Sequence, residues 1–147
     1  TIKEQDISKK YAKNAPDFRD SIGIGHYHID LHMTTKTKTY FFDETHPFQI
    51  PLGALIPQET KNLIAACKNI GTTHVTNGCY RLHPVEWNIG ESAGYLVAYC
   101  LKHKVTPKQV YETDHLLIDY QSHLVTQGIL IKWPKHILEG KHEKGSK

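Results

Sequence analysis

One helix constrains this chain more than any other segment, because its start, its apolar face and its end are all legible in the residues. Proline at the first helical position is preorganised and gives up no hydrogen bond that a helix needs, so His83-Pro84 predicts a helix start. An apolar stripe at helical spacing follows, formed by Val85, Ile89, Ala93, Leu96, Val97 and Cys100. The stripe ends near Lys102 and Lys104, and basic residues suit a helix C-terminus. The sequence therefore predicts an amphipathic helix that buries one face.

A second helix is predicted directly after the first. Thr106-Pro107 opens it in the same way, and Gly128 provides the stop. Its inward-facing residues are Val110, Leu117 and Leu124. Ile129 to Trp133 is then predicted as one more short strand, closed by Pro134.

Short strands are predicted in the first half of the chain. Residues 22–33 alternate with the two-residue period of a strand, so that one face carries Tyr27, Ile29 and Leu31 and the other carries His26, His28, Asp30 and His32. Thr39 to Phe42 is rich in β-forming residues, which predicts a hairpin with this strand. The pattern predicts an α+β fold with a small antiparallel sheet and two C-terminal helices.

Three further segments have weaker signals. Thr1 to Arg19 is polar without a sustained period, which predicts a loosely held lead-in or a broken piece of helix. Phe48 to Pro57 contains two prolines, which predict an apolar but irregular connection. Leu63 to Cys67 is a compact apolar run, and its length favours a strand buried on both faces.

Composition excludes several classes of protein. The 147 residues suffice for one ordinary domain, and 18 Lys and Arg against 15 Asp and Glu give a net charge of only +3, which is unlike a nucleic-acid binder. Cys67, Cys79 and Cys100 are widely spaced, which favours neither a disulfide framework nor a zinc site and suggests a reducing, cytoplasmic location. No apolar run approaches the roughly 18 residues that predict a membrane span.

The strand face with three histidines and an aspartate has three possible interpretations. His26, His28, Asp30 and His32 would lie roughly 6.6 Å apart in successive pairs, which is near enough for two or three of them to share zinc or iron. The same face could instead form the polar wall of a cleft, or simply face solvent.

The start of the first helix is crowded with polar and small residues, namely Arg81, His83, Glu86, Trp87, Asn88, Gly90, Glu91, Ala93 and Gly94. Two glycines in a helix cost roughly 1 kcal/mol each against alanine, so they usually signal close approach of another group. That group is either a neighbouring strand or a ligand lying across the helix N-terminus, where free N–H groups and the dipole favour an anion.

At these residues the chain resembles the C-terminal part of FAD-dependent oxidoreductases of the type with two dinucleotide-binding domains. The resembling segments, in order, are Ile50-Pro51 through Leu55-Ile56-Pro57, Asn62-Leu63-Ile64-Ala65-Ala66, Ile70-Gly71-Thr72-Thr73-His74-Val75-Thr76, Arg81 with Pro84, and Gly90-Glu91-Ser92-Ala93-Gly94. The resemblance covers about Asp20 to Trp133. Members often have Tyr-Arg at Leu52-Gly53 and Gly-Arg at Cys67-Lys68, and these departures concern the substrate more than the cofactor.

The resemblance implies a division of the chain and a set of roles. Residues 1–20 would be a lead-in, 21–61 substrate-domain-like strands, 62–134 an FAD-domain-like strand, loop and helices, and 135–147 a charged tail. The implied cofactor-binding residues are Asn77, Arg81, Glu86, Trp87, Asn88, Gly90, Glu91, Ala93 and Gly94. The implied catalytic residues, which line the substrate cleft or handle protons, are His26, His28, Asp30, His32 and His83. Asn77 and Arg81 would stabilise the negative charge of the reduced flavin.

The chain lacks the family's N-terminal strand and Gly-rich phosphate loop, because no true GxGxxG follows a strand and opens a helix. We therefore expect a C-terminal fragment, inactive alone, whose partners are the missing N-terminal FAD-binding half and a small-molecule substrate. Neither nucleic acid nor membrane is expected as a partner. Two alternatives stay open: a metal-dependent enzyme that uses the His-rich strand, and a non-catalytic interaction domain. Homo-oligomers would suit a chain with exposed apolar faces.

Overall fold

The computed structural model describes residues 1–139, so the end of the predicted charged tail lies outside the described residues. Four short strands and six helices make up this part of the chain. The strands are β1 (Ser21–Gly25), β2 (Ile29–Leu31), β3 (Phe41–Asp43) and β4 (Phe48–Pro51). The helices are α1 (Glu4–Ile7), α2 (Asn77–Tyr80), α3 (His83–His103), α4 (Pro107–Glu112), α5 (Asp114–Thr126) and α6 (Lys135–Leu138), with a 3-10 turn at Leu52–Ala54.

The sheet elements are two antiparallel pairs, which confirms the predicted α+β class. β1 pairs with β4, and β2 pairs with β3 in a register that sets Ile29 opposite Asp43 and Leu31 opposite Phe41. The predicted hairpin is therefore present. The predicted continuous strand of residues 22–33 is wrong, because the chain leaves strand geometry at residues 26–28 and changes partner there.

The first predicted helix is confirmed, and α3 is the main support of the core. Its buried residues include Val85, Ile89, Ala93 and Leu96, which pack with β1 and with α5. A buried relay of hydrogen bonds fixes the three elements together: Ser92 Oγ donates to the Ile22 carbonyl at 2.7 Å, and the Tyr120 hydroxyl donates to the Ser92 carbonyl at 2.7 Å. Val97 departs from the predicted stripe, since it is 46% exposed.

The second predicted helix is interrupted. Thr113 adopts an extended conformation between α4 and α5, so residues 106–128 form two helices rather than one. The predicted strand at residues 129–133 is also wrong. This segment is irregular, and it is held by side chains: Ser21 Oγ donates to the Ile131 carbonyl at 2.6 Å and Trp133 Nε1 donates to the Phe48 carbonyl at 2.9 Å.

Three further expectations need correction. Residues 48–51 form a regular strand instead of an irregular connection, because Pro51 stands at the strand's last position, where its missing N–H interrupts no ladder. Residues 63–67 are not a strand, since no neighbouring strand supplies hydrogen bonds, and Leu63 is 55% exposed. Of the two alternatives for the first segment, the broken piece of helix is confirmed by α1 and the loosely held lead-in is wrong, because Ile2 and Ile7 are buried in the core.

No helix within residues 1–139 combines the length and the apolar character that crossing a membrane requires.

Candidate functional site

A cavity of about 350 Å³ opens beside the N-terminus of α3. Its walls come from β2, from the loop before α2, and from the junction of α2 and α3. The lining residues are Tyr27, Asp30, His32, Lys68, Gly78, Arg81, Leu82, His83 and Pro84. Four residues predicted from the sequence thus lie together, namely Asp30, His32, Arg81 and His83.

The Arg81 side chain is held against β2 by a hydrogen bond to the backbone of that strand. Arg81 Nη2 donates to the Asp30 carbonyl at 2.9 Å, while its other guanidinium nitrogens have no partner among the described residues. The contact depends on Gly78, because a Cβ at that position would lie 3.0 Å from the Asp30 nitrogen and 3.1 Å from the Asp30 oxygen. Glycine therefore allows α2 to approach β2 closely enough to place a cation at the cavity.

Lys68 adds a second cation, which sequence analysis noted only as a departure from the family pattern. Lys68 Nζ lies 3.3 Å from Oε1 of Glu86, whose side chain is 10% exposed. The buried oxygen has no aligned hydrogen bond among residues 1–139, so charge rather than hydrogen-bond geometry holds this pair. Glu86 thus faces Lys68 from the first turn of α3.

Asp30 provides the negative side of the cavity. Burial opposes its ionisation, but interactions with the Tyr40 hydroxyl and His32 outweigh that effect and lower the pKa of Asp30 below its ordinary 3.8. His32 Nε2 lies 3.1 Å from Asp30 Oδ2. Asp30 is therefore a carboxylate at neutral pH, and its backbone carbonyl holds the Arg81 guanidinium.

His26 and His28 lie apart from this group. The break in the predicted strand turns His26 towards Trp133, with ring centroids 6.4 Å apart. His28 is stacked between Tyr27 at 4.0 Å and Phe42 at 4.5 Å. Within residues 1–139, no three His, Cys, Asp or Glu side chains are placed to hold a metal ion, so the metal site considered for this strand face is not formed.

The remaining predicted cofactor residues spread along α3 and the preceding loop. Asn77 Nδ2 donates to the Lys68 carbonyl at 3.1 Å and to Thr72 Oγ1 at 3.3 Å, so its side chain braces the loop that carries Lys68. Trp87 is 71% exposed and stacks on His83 at 6.5 Å. Asn88 packs on Gly23, and Ala93 lies in the core.

Gly90, Glu91 and Gly94 form part of the outer surface of α3. A Cβ on Gly94 would meet nothing within 4 Å, and one on Gly90 would meet only the Ala66 carbonyl, at 3.3 Å. Close packing within residues 1–139 thus accounts in part for the presence of glycine at position 90, and it does not account for glycine at position 94. The bare surface is available to a group from outside this part of the chain.

Comparison with known proteins adds one finding to this geometry. The model of a family described as FAD dependent oxidoreductase matches residues 1–124, a range that contains every residue lining the cavity. No curated protein and no solved structure matches the chain.

Proposed function

The chain belongs to the FAD dependent oxidoreductase family, and we propose that it forms one wall of the flavin and substrate site of a larger enzyme. An N-terminal half outside this sequence would supply the other wall, including the grip on the FAD pyrophosphate and adenosine. The chain alone would then bind little FAD and catalyse nothing.

The cavity at the N-terminus of α3 is the observation that carries this proposal. The first turn of a helix has free N–H groups and a positive dipole end, and beside it lie the guanidinium nitrogens of Arg81 that have no partner within residues 1–139. These donors suit the carbonyl oxygens of an isoalloxazine ring, whose reduced form is anionic. Flavin bound there supplies a redox centre that accepts a hydride, and the protein supplies orientation and electrostatics.

The outer surface of α3 supports the same assignment. Trp87 (71% exposed), Val97 (46%) and Leu101 (76%) follow one another along this surface, with the bare Gly94 between them. Leu63 adds a further exposed apolar side chain from the segment that lacks strand partners. Contiguous apolar surface marks an interface, and we assign it to the FAD-binding half, against which residues 63–67 would find their missing strand partners.

The glycines at positions 23 and 25 do not form a phosphate-binding loop for the cofactor. Gly23 and Gly25 lie inside the paired strand β1, not at a turn between a strand and a helix, so they cannot cradle a pyrophosphate. This supports assigning the phosphate-binding loop to the proposed N-terminal half.

Two substitutions in the complete flavoprotein test the proposed wall. Arg81→Ala removes charge-assisted donors worth about 1.5–3 kcal/mol and should weaken flavin binding roughly tenfold or more. Gly94→Leu puts a side chain on the bare surface of α3 and should release flavin by blocking close approach. Flavin absorbance per mole of purified protein measures both effects.

Matched controls separate these effects from general instability. Arg19→Ala removes an arginine that pairs with Asp114, and Ser122→Leu adds the same bulk to an exposed position of α5. Both controls should retain flavin. If Arg81→Ala and Gly94→Leu also retain full flavin content and full turnover, the proposal is wrong.

A further inference from the structure

Tyr40 lies across the β2–β3 hairpin from the residues that form the acidic side of the cavity. The register pairs Asp30 with Phe42 and Leu31 with Phe41, so His32 and Tyr40 are the next opposing positions, with ring centroids 6.5 Å apart. The Tyr40 hydroxyl interacts with the Asp30 carboxylate, which raises the pKa of Tyr40. Tyr40, Asp30 and His32 thus form one cluster at the end of the hairpin.

The Asp30 carboxylate joins the other two members of this cluster. Its Oδ2 lies 3.1 Å from His32 Nε2. Its Oδ1 is buried and has no aligned hydrogen-bond partner in the described part of the chain, which is costly for a buried oxygen. The Tyr40 hydroxyl is the second group, besides His32, that acts on this carboxylate.

The contact with Asp30 also determines the tautomer of His32. An ionised carboxylate only accepts hydrogen bonds, so Nε2 must carry the hydrogen, and in neutral His32 the lone pair is then on Nδ1. The Asp30 side chain is 15% exposed and that of His32 is 72% exposed, so the acid is held by the fold while the imidazole reaches the cavity. Nδ1 is therefore a proton acceptor at an accessible position.

We propose that Tyr40 and Asp30 are positioning residues that hold His32 as the base of the reaction in this cavity. The inference rests on the proposed function. In the oxidation of a C–H bond beside a hydroxyl or amino group, bound flavin would supply the hydride acceptor while a double bond forms between carbon and the heteroatom. His32 Nδ1 would take the proton that leaves the heteroatom, and Asp30 would pair with the resulting imidazolium.

The other histidines near the cavity lack this support. Within residues 1–139, the Asp30 contact is the one ion pair that involves a histidine. The flat face of His83 lies on Trp87, and His28 is enclosed between two rings. The other titratable or charged groups around the Asp30 and His32 pair are Tyr27, His28, Lys68, Arg81 and His83. All five stay unchanged in the variants below.

NMR of the His32 ring nitrogens in the neutral imidazole tests the cluster in the complete 147-residue chain without flavin or substrate. Asp30→Asn replaces the carboxylate by a weaker acceptor, so the share of the Nε2–H tautomer should fall. Tyr40→Phe removes a donor that competes with His32 for the carboxylate, so the share of the Nε2–H tautomer should rise. Ring nitrogen shifts should report the Nε2–H tautomer in the unmodified chain.

Tyr95→Phe is the matched control, because it removes a hydroxyl whose partner is Gln127, far along α3. The His103 ring, stacked on Tyr99, reports whether each variant is folded. A tautomer share that changes in opposite directions for Asp30→Asn and Tyr40→Phe supports the proposal. Changes in the same direction, changes no larger than that of Tyr95→Phe, or an Nδ1–H tautomer in the unmodified chain overturn it. This outcome is independent of whether the chain contributes to a flavin site, which the flavin content of the Arg81 and Gly94 variants decides.

Discussion

At Gly78 and Gly23, neighbouring elements approach the backbone more closely than a residue with a side chain would allow. Both glycines lie next to residues predicted for the site. Gly78 brings α2 onto β2 and thereby sets Arg81 against Asp30. Gly23 lies in β1 under the amide of Asn88, where a Cβ would overlap the Asn88 side chain and lie 3.0 Å from Ile50 Cδ1. These positions link the packing of the core to the geometry of the cavity.

Gly23→Ala should destabilise the chain by about 1–3 kcal/mol, because the added methyl group overpacks a buried site. Gly94→Ala is the comparison, since its Cβ meets nothing within 4 Å. It should stabilise the isolated chain by about 0.5–1 kcal/mol through helix propensity. Urea denaturation of both variants measures the free energy of unfolding. A Gly23→Ala variant as stable as Gly94→Ala would contradict the described packing.

Residue patterns predicted part of the site and missed the rest for a physical reason. Asp30 and His32 were recognisable as one polar strand face, and Arg81 and His83 as the polar start of a helix. Lys68 comes to the cavity from another segment, through a loop, and Tyr40 comes to His32 through a hairpin partner. Sequence periodicity identifies the residues that share a face of one helix or strand. It does not predict contacts between residues from different segments.

At the scale of elements, the predicted helices and strands match the structure where several local sequence signals coincide. α3 begins at His83, one residue before its predicted proline, and runs to His103, since the proline, the apolar stripe and the basic end all agree. The break at Thr113 was missed because Val110 and Leu117 are seven residues apart, which fits one continuous helical face as well as two helices. The apolar run at residues 63–67 has strand composition but lacks a strand to pair with, and composition alone does not supply hydrogen bonds.

The start of α4 offers a test of local signals, because the helix begins at the predicted Thr106-Pro107 and carries a capping box there. Gln109 N donates to Thr106 Oγ1 at 3.2 Å, and Thr106 N donates to Gln109 Oε1 at 2.8 Å. Thr106→Ala should therefore lower the free energy of unfolding by about 1 kcal/mol. Thr126→Ala removes a hydroxyl from an exposed helical position and should change it far less. Equal effects in thermal denaturation would show that the capping box does not stabilise this helix.

At the scale of the whole molecule, one core supports two surfaces with different chemistry. Residues from α1 to α5 share a single buried cluster, which includes Ile2, Ile50 and Leu124. The cavity presents charge at one end of α3, and the outer surface of the same helix presents Trp87 and Leu101. A bare, apolar helix surface beside a charged cavity supports the proposal that the chain completes a site with another part of the protein.

Titration of the isolated chain with FAD, followed by flavin fluorescence, tests whether the chain holds the cofactor by itself. We expect no saturable binding at micromolar concentrations, because the groups that bind the pyrophosphate and adenosine would belong to the proposed N-terminal half. Flavin fluorescence should rise linearly with added FAD, with the same slope as in buffer alone. Saturable micromolar binding, lost on Arg81→Ala, would show that the chain holds the cofactor by itself and would contradict the account.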